Sequence, residues 1–352
     1  MVAEASKKPV RQEAEPAGTE ITELAPGILR SQLPVMLPGL QHVNMYLLED
    51  ERGVAVVDPG MPGPQSWRAL VDRLKSAGYK PSDVHTVVVT HSHPDHFGGA
   101  GRLRDKYGAE VIAHTSFRTW FDVAEEEADA DEPAPGPIWG RPLPWRTDAS
   151  TAGPPRSRRI RMKVMRTVAS GFVKTPKPTK RVADADVVTL AKREWVAVHT
   201  PGHTSDHLCL FSPTDGIVLS GDHVLPTITP HISGLVGDDP LTEFFQSLDK
   251  IAGVENPGLV LPAHGHPFDD LVHRCGAIRE HHEERLTMLR DAAAELGDAS
   301  VEDYSHRLFK PRSWGQMAES ETYAHLEHLR LVGEMDSHHD TKGLLRYHLV
   351  DG

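Results

Sequence analysis

Cysteine is nearly missing from this chain. Cys209 and Cys275 are the only two in 352 residues, too few for a disulfide framework and compatible with a reducing compartment, so a cytoplasmic location is expected. Long apolar runs are missing too. Hydrophobic residues make up 39% of the chain but come in short stretches, none approaching the roughly 18 to 20 residues that cross a bilayer. No membrane role is expected. The opening segment MVAEASKKPVRQEAEPAGTE has no apolar core of the roughly 7 to 15 residues found in a secretory signal, and residues 1–20 are expected to be a flexible tail. Positive charge is in deficit. The net charge of −12 argues against general nucleic-acid binding, which depends on Lys and Arg neutralising phosphates. GxxxxGK followed by Ser or Thr, HExxH and GxSxG do not occur, which removes the chemistry each of them carries.

What the chain has in excess is histidine, with 22 copies. Around them, strand and helix patterns alternate. QHVNMYLLED and GVAVVD read as neighbouring strands, and Gln65 to Ala77 places apolar residues at helical spacing after a Pro/Gly turn. HTVVVT is a short buried strand, from which a ligand-rich turn leads into a helix around Gly98 to Lys106. EVIAH, WVAVHT, HLCLF, GIVLS and GLVLP are further strands, with a helix near Leu241 to Ile251 between the last two. The pattern predicts a layered α/β chain with mixed sheets. Two regions depart from it. Residues 131–181 are rich in proline, as in APGPIWGRPLPW and TPKPTK, and too long for an ordinary connection. They are expected to be an insertion or lid. In residues 271–352, HHEERLTMLRDAAAEL and AESETYAHLEHLRLVGEM show helical spacing and predict a small, mainly helical C-terminal domain.

The stretch THSHPDHFGG, Thr90 to Gly99, puts three histidines and an aspartate into six residues. In a turn after a strand, the alternate residues His91 and His93 can converge on one cation, while Asp95 and His96 emerge further round and can reach a second. Imidazole and carboxylate suit Zn(II), Mn(II) or Fe(II), and the ions of two-metal hydrolases lie about 3.5 to 4 Å apart. The same design recurs downstream. VHTPGHT with His203, LSGDH with Asp222 and VLPAHG with His264 each end an apolar strand in a turn of small residues. Strand ends on one edge of a layered sheet can gather in space although distant in sequence. Seven ligand candidates result.

Taken in order, DPG, THSHPDH, TPGHT, SGDH and PAHG resemble the motifs of the metallo-β-lactamase superfamily over residues 21–270. The resemblance implies a four-layer αββα sandwich in which His91, His93 and His203 hold one metal and Asp95, His96 and His264 the other, with Asp222 bridging. Asp58 in VVDPG resembles the family's outer aspartate, which orients ligands by hydrogen bonds. The region after residue 270 resembles the winged-helix-like C-terminal domain of a broad group of such hydrolases. It shows no basic recognition face, so no nucleic-acid partner is expected.

Two divalent ions are the expected cofactors, Zn first, with Fe or Mn compatible. A water held by them loses a proton near neutral pH, since metal binding can lower its pKa to about 7, and Asp95 is placed to orient it, so Asp95 and Asp222 are the expected catalytic carboxylates. The seven-ligand set resembles glyoxalase II, lactonases, thioesterases and phosphodiesterases. An aspartate at 222 is unlike the zinc β-lactamases, and His93 is unlike the flavodiiron branch, which has Glu there. The expected function is hydrolysis of a small ester, with thioester or lactone favoured. The alternatives are a mononuclear iron oxidoreductase resembling persulfide dioxygenases, and a metal-bound regulatory or binding protein. Ten Lys or Arg and no acid occur from Arg156 to Arg181, which points to an anionic small-molecule substrate. A homo-oligomer is compatible with the sequence. His207 and His223 read as structural histidines near the site, while Trp139 and Trp145 read as pocket walls or anchors.

Overall fold

The computed structural model describes residues 11–37, 39–119, 143–146 and 175–350. Strands β3 (Leu40–Asp50) and β4 (Gly53–Val57) show how its layers arise. Side chains alternate across a strand, so Val43, Met45 and Val56 enter one apolar core while Tyr46, Leu48 and Val57 enter another. Both faces are buried, and the sequence of each strand is correspondingly apolar throughout.

The first sheet has seven strands in chain order: β1 (Thr22–Ala25), β2 (Ile28–Leu37), β3, β4, β5 (Val84–Val88), β6 (Glu110–His114) and β7 (Lys180–Val182). Pairing is antiparallel up to β4 and parallel from β4 to β7. The second sheet contains β8 (Val187–Leu190), β9 (Arg193–His199), β10 (Leu208–Ser212), β11 (Ile217–Gly221) and β12 (Leu259–Pro262), ordered β12-β11-β10-β9-β8. Only β11 and β12 pair in parallel within it. Leu48, Val57 and Val88 of the first sheet meet Trp195, Leu210 and Leu219 of the second in a shared core.

Helices α1 (Pro64–Ser76) and α3 (Ala100–Tyr107) cover the outer face of the first sheet with Leu70, Leu74 and Leu103. On the other side, α4 (Pro240–Ala252) and α5 (Leu271–Leu296) cover the second sheet with Phe244, Leu248, Leu271 and Ile278. The result is the expected αββα sandwich. The short α2 (Pro94–Phe97) lies within the His-rich turn.

The C-terminal region is helical, with α6 (Val301–Leu308) and α7 (Gln316–Leu331) packed against the second half of α5. It also contains a sheet that the sequence reading missed, ordered β13 (Ala299–Ser300), β15 (Leu345–Leu349), β14 (Met335–His339). α5 serves both regions: Ile278 packs on the sandwich and Leu286 in the C-terminal core.

Two expectations need correction or limits. Residues 12–15 are not a loose tail: the 3-10 turn Gln12–Ala14 buries Glu13, which accepts from Thr227 Oγ1 at 3.0 Å. Residues 1–10 lie outside the described part. So does most of the 131–181 insertion, including Trp139. Its Trp145 is an anchor: the buried indole donates to Glu319 Oε2 at 2.9 Å. Among the described residues no helix is long and apolar enough to cross a membrane.

Candidate metal centre

All seven ligand candidates follow the C-terminal ends of strands: His91 to His96 after β5, His203 after β9, Asp222 after β11 and His264 after β12. Asp58 follows β4. The turn holding Asp58 is fastened to the His-rich turn by Gly98 N to Gly60 O at 2.6 Å and Gly99 N to Pro59 O at 3.1 Å. The approach is close enough that a Cβ at Gly98 would fall 1.9 Å from the Met61 carbonyl carbon. The glycine after DHF is therefore a packing requirement.

Two groups of donor atoms converge. In the first, atoms of His91, His93, His203 and Asp222 all lie within 4.8 Å of one another; in the second, atoms of Asp95, His96 and His264 do the same. His93 Nδ1 is 3.0 Å from both His91 Nε2 and His203 Nε2. The Asp222 carboxylate stands between the groups, with Oδ2 3.8 Å from His91 Nε2 and 3.6 Å from both His203 Nε2 and His96 Nε2. Its Oδ1 is 3.3 Å from His264 Nε2. Asp95 Oδ2 closes the second group, 3.6 Å from His96 Nε2 and 3.5 Å from His264 Nε2.

The far side of four of the five imidazoles is already committed. His96 Nδ1 donates to Asp58 Oδ2 at 2.9 Å, His203 Nδ1 to the His231 carbonyl at 2.7 Å, and His264 Nδ1 to the His42 carbonyl at 2.6 Å. His91 Nδ1 is 3.1 Å from Thr90 Oγ1, whose hydroxyl donates to Asp58 Oδ2 at 2.8 Å. With the proton fixed on Nδ1, the Nε2 of each of these four presents a lone pair inward, whereas His93 turns its Nδ1 toward His91 and His203. His96 Nε2, His264 Nε2 and Asp222 Oδ1 are buried and make no hydrogen bond. Buried polar atoms of this kind need a partner, and imidazole with carboxylate is a donor set for divalent cations. The residues present therefore fit a pair of ions.

The charge balance agrees. Burial, reinforced for His91 and His93 by neighbouring imidazoles, holds His91, His93 and His203 below the usual histidine range and so in the neutral, metal-binding form. At His96 and His264 burial acts in the same direction, but the carboxylates of Asp222 and Asp95 outweigh it and raise both. Burial pushes Asp222 up, yet His264 and His96 prevail and hold it well below the usual carboxylate range. The carboxylates of Asp95 and Asp222 thus favour a positive charge beside these nitrogens, which a bound cation would supply in place of a proton.

His207, read from the sequence as structural, is outside both groups. Its Nε2 accepts the Asp222 N–H at 3.0 Å while Nδ1 pairs with Thr200 Oγ1 at 2.8 Å. Reading the sequence missed His42, Asn44 and His231. Asn44 Nδ2 donates to the carbonyls of Pro262 and Gly265, each at 2.8 Å, and so clamps the His264 turn. No local pattern marks these residues, because they act through contacts more than 200 positions away or through a main-chain carbonyl. Of the ten basic residues from Arg156 to Arg181, seven lie outside the described residues. Arg181 is committed elsewhere: its Nη1 donates to the carbonyls of His114, Thr115 and Phe117 at 3.4, 2.8 and 3.0 Å.

Comparison with known proteins bears on this geometry. The family model for the metallo-beta-lactamase superfamily matches residues 38–264. The chain is 27% identical over 232 residues to the probable metallo-hydrolase YqjP of Bacillus subtilis, covering 64% of this chain and 68% of that one. It is 24% identical over 244 residues to the hydroxyacylglutathione hydrolase of Albidiferax ferrireducens, covering 68% and 69%. A beta-lactamase domain protein from Burkholderia ambifaria superposes with a TM-score of 0.75 at 28% identity, over 96% of this chain and 95% of the other. A metallo-beta-lactamase family protein from Thermus thermophilus gives 0.72 at 26% identity, over 93% and 100%.

Proposed function

The chain belongs to the metallo-beta-lactamase superfamily, and from that premise we propose that it is a dinuclear metal-dependent hydrolase of a small ester, with a thioester or lactone as substrate. His91, His93 and His203 would hold one ion and Asp95, His96 and His264 the other, with the Asp222 carboxylate available to both. The observation that carries this reading is the position of the Asp222 carboxylate, 3.3 to 3.8 Å from inward-facing nitrogens of both groups. Zinc is the ion that this all-His/Asp set suits first, with iron or manganese next.

When bound, the ions would supply a Lewis acid and a water whose pKa is lowered to about 7. The protein does the rest. Asp95 orients the nucleophile through its carboxylate. Asp58, Thr90 and the carbonyls of His42 and His231 keep the imidazole lone pairs aimed inward. The hydroxyacylglutathione hydrolase relative supports a thioester, and the basic segment beginning at Arg156 supports an anionic one. Helix, strand, two helices and two strands succeed one another from α5 to β15, an order that supports the winged-helix-like reading of the C-terminal region. We assign that region a packing role, with neither nucleic acid nor membrane as partner.

Elemental analysis of purified protein, joined to turnover of thioester, lactone, β-lactam and phosphodiester panels, tests the proposal. The expected result is close to two ions per chain with thioester or lactone hydrolysis. A single iron with oxygen consumption on a persulfide substrate would replace it with the oxidoreductase reading.

A further inference from the structure

His203 is oriented by a main-chain carbonyl that belongs to no regular element. Its acceptor, His231 O at 2.7 Å, sits in the segment between β11 and α4. What holds that carbonyl in place comes from the C-terminal region. The His231 ring donates from Nδ1 to Glu321 Oε2 at 3.1 Å, and Glu321 Oε1 accepts from Arg285 Nη1 at 2.5 Å. Glu321 is on α7 and Arg285 on α5. Ser320 completes the seat: its carbonyl accepts Gly234 N at 3.2 Å, and its Oγ lies 3.2 Å from Ser233 Oγ.

We propose that Glu321 and His231 are positioning residues for the metal centre. Arg285 fixes Glu321, Glu321 fixes the His231 ring, and the His231 carbonyl fixes the tautomer and direction of His203. The C-terminal region is on this account part of the support of the first donor group, although it contributes no ligand. The proposal rests on the two-ion reading above and adds to it a route by which α7 sets the affinity of one ion and not the other.

Three features make the route specific. The Glu321 carboxylate is buried, and although burial works against its charge, His231 and Arg285 outweigh it and hold the group well below the usual range. An ionised carboxylate at a fixed place is a strong acceptor for the Nδ1 proton. The other ring nitrogen, His231 Nε2, is buried without a hydrogen bond, so the ring has a single polar tether. Finally, the second donor group depends on other supports, since His96 is held by Asp58 and His264 by the His42 carbonyl.

The test is a stepwise titration of the metal-free full chain with Co(II), followed by ligand-field absorption and calorimetry. His231→Ala keeps the carbonyl and leaves Glu321 paired with Arg285, so the fold should survive. Its expected effect is a loss of about tenfold in affinity for one ion, within the range for outer partners of metal ligands, with the other ion unchanged. Glu321→Ala should act on the same ion, and the double variant should be no worse than the poorer single one. His231→Asn, which retains an N–H near the position of Nδ1, should recover most of the loss. Glu334→Ala breaks the Arg290 pair elsewhere in the C-terminal region and should change neither ion. Parent-like binding by His231→Ala overturns the proposal, as does equal weakening by Glu334→Ala. If the parent takes up only one ion, the two-ion reading falls. The relay is then judged on that ion, standing if His231→Ala weakens it and falling if not.

Discussion

Asp58 Oδ2 lies 2.9 Å from His96 Nδ1, and both side chains are buried. The same carboxylate accepts Thr90 N and Thr90 Oγ1 at 2.9 and 2.8 Å. Asp58 reaches this position from a left-handed backbone, φ 53°, which costs a non-glycine residue energy and is held by its N–H bond to Val88 O at 3.0 Å. One carboxylate thus sets the proton position of His96 directly and of His91 through Thr90.

Replacing Asp58 tests that arrangement in a way that separates charge from tautomer. Asp58→Ala should weaken metal binding by roughly 10- to 100-fold. Asp58→Asn should be no better. If its amide oxygen accepts Thr90 N, its amide N–H group faces His96 Nδ1 and drives the proton to Nε2, the atom that must bind metal. Metal titration of both variants decides the matter: an Asn variant with parent affinity would mean that Asp58 does not control the tautomer.

Asp222→Ala should lower occupancy from about two ions to less than one, and lower kcat/KM by at least ~100-fold, more than an outer partner does. The reason is electrostatic as well as geometric, because the carboxylate is the negative charge shared between both groups. Glu51, exposed in the turn between β3 and β4 and so at the opposite end of β4 from Asp58, supplies the control: Glu51→Ala should leave occupancy unchanged. Metal analysis after gel filtration reads both.

Much of the fold and the seven ligand candidates could be read directly from the sequence, and the reason is physical. Largely buried strands such as β5 and β11 are short, mostly apolar runs, and each ends in a turn whose small residues expose a ligand. The rest was not legible because its signals are not local. MDSHH and LRYHL, which form β14 and β15, carry few apolar residues and face solvent on one side. His42, His231 and Glu321 act on the centre through a carbonyl or at one remove. Gln12 and Glu13 look like part of a polar tail until the His266 N–H and the Thr227 hydroxyl are seen to donate to their side chains.

Two glycines should respond oppositely to the same substitution. Gly98→Ala forces a methyl against the main chain of Met61 and Pro62, 1.9 and 2.1 Å away, and should destabilise by about 3 kcal/mol while weakening the bond that joins Asp58's turn to α2. Gly276 lies exposed inside α5 with nothing within 4 Å of its Cβ position. Gly276→Ala should stabilise by about 0.5 to 1 kcal/mol through helix propensity alone. Urea denaturation of the metal-free variants measures both, and equal shifts would contradict the close approach at Gly98.

Acid stability should depend on a buried histidine pair behind the second sheet. His282 Nδ1 lies 3.0 Å from His325 Nε2, while His325 Nδ1 donates to the Glu321 carbonyl at 2.7 Å, so His282 is the donor and both rings are neutral. Burial, helped at His282 by His325, pushes His282 down to about 2; burial pushes His325 down to about 4 against the nearby Glu321 charge. Arg285 and His328 add to the lowering at His325, and His281 and Arg285 to that at His282. The sign follows from proton counts. Between the unfolded value of about 6.5 and the folded values, the unfolded chain binds more protons, so stability is full above pH 6.5 and falls as the pH drops toward 4. For His325 alone the loss is on the order of 3 kcal/mol by pH 4. His282→Leu should cost about 1 to 2 kcal/mol at pH 7.5 by stranding His325 Nε2, whereas the double change His282→Leu with His325→Leu should be nearly neutral there, because donor and acceptor leave together. At pH 5 the double variant should be more stable than the parent, since it no longer has these protons to refuse. Denaturant unfolding of metal-free protein at both pH values checks this, and parallel pH dependence in the parent and the double variant would assign the acid sensitivity to other groups.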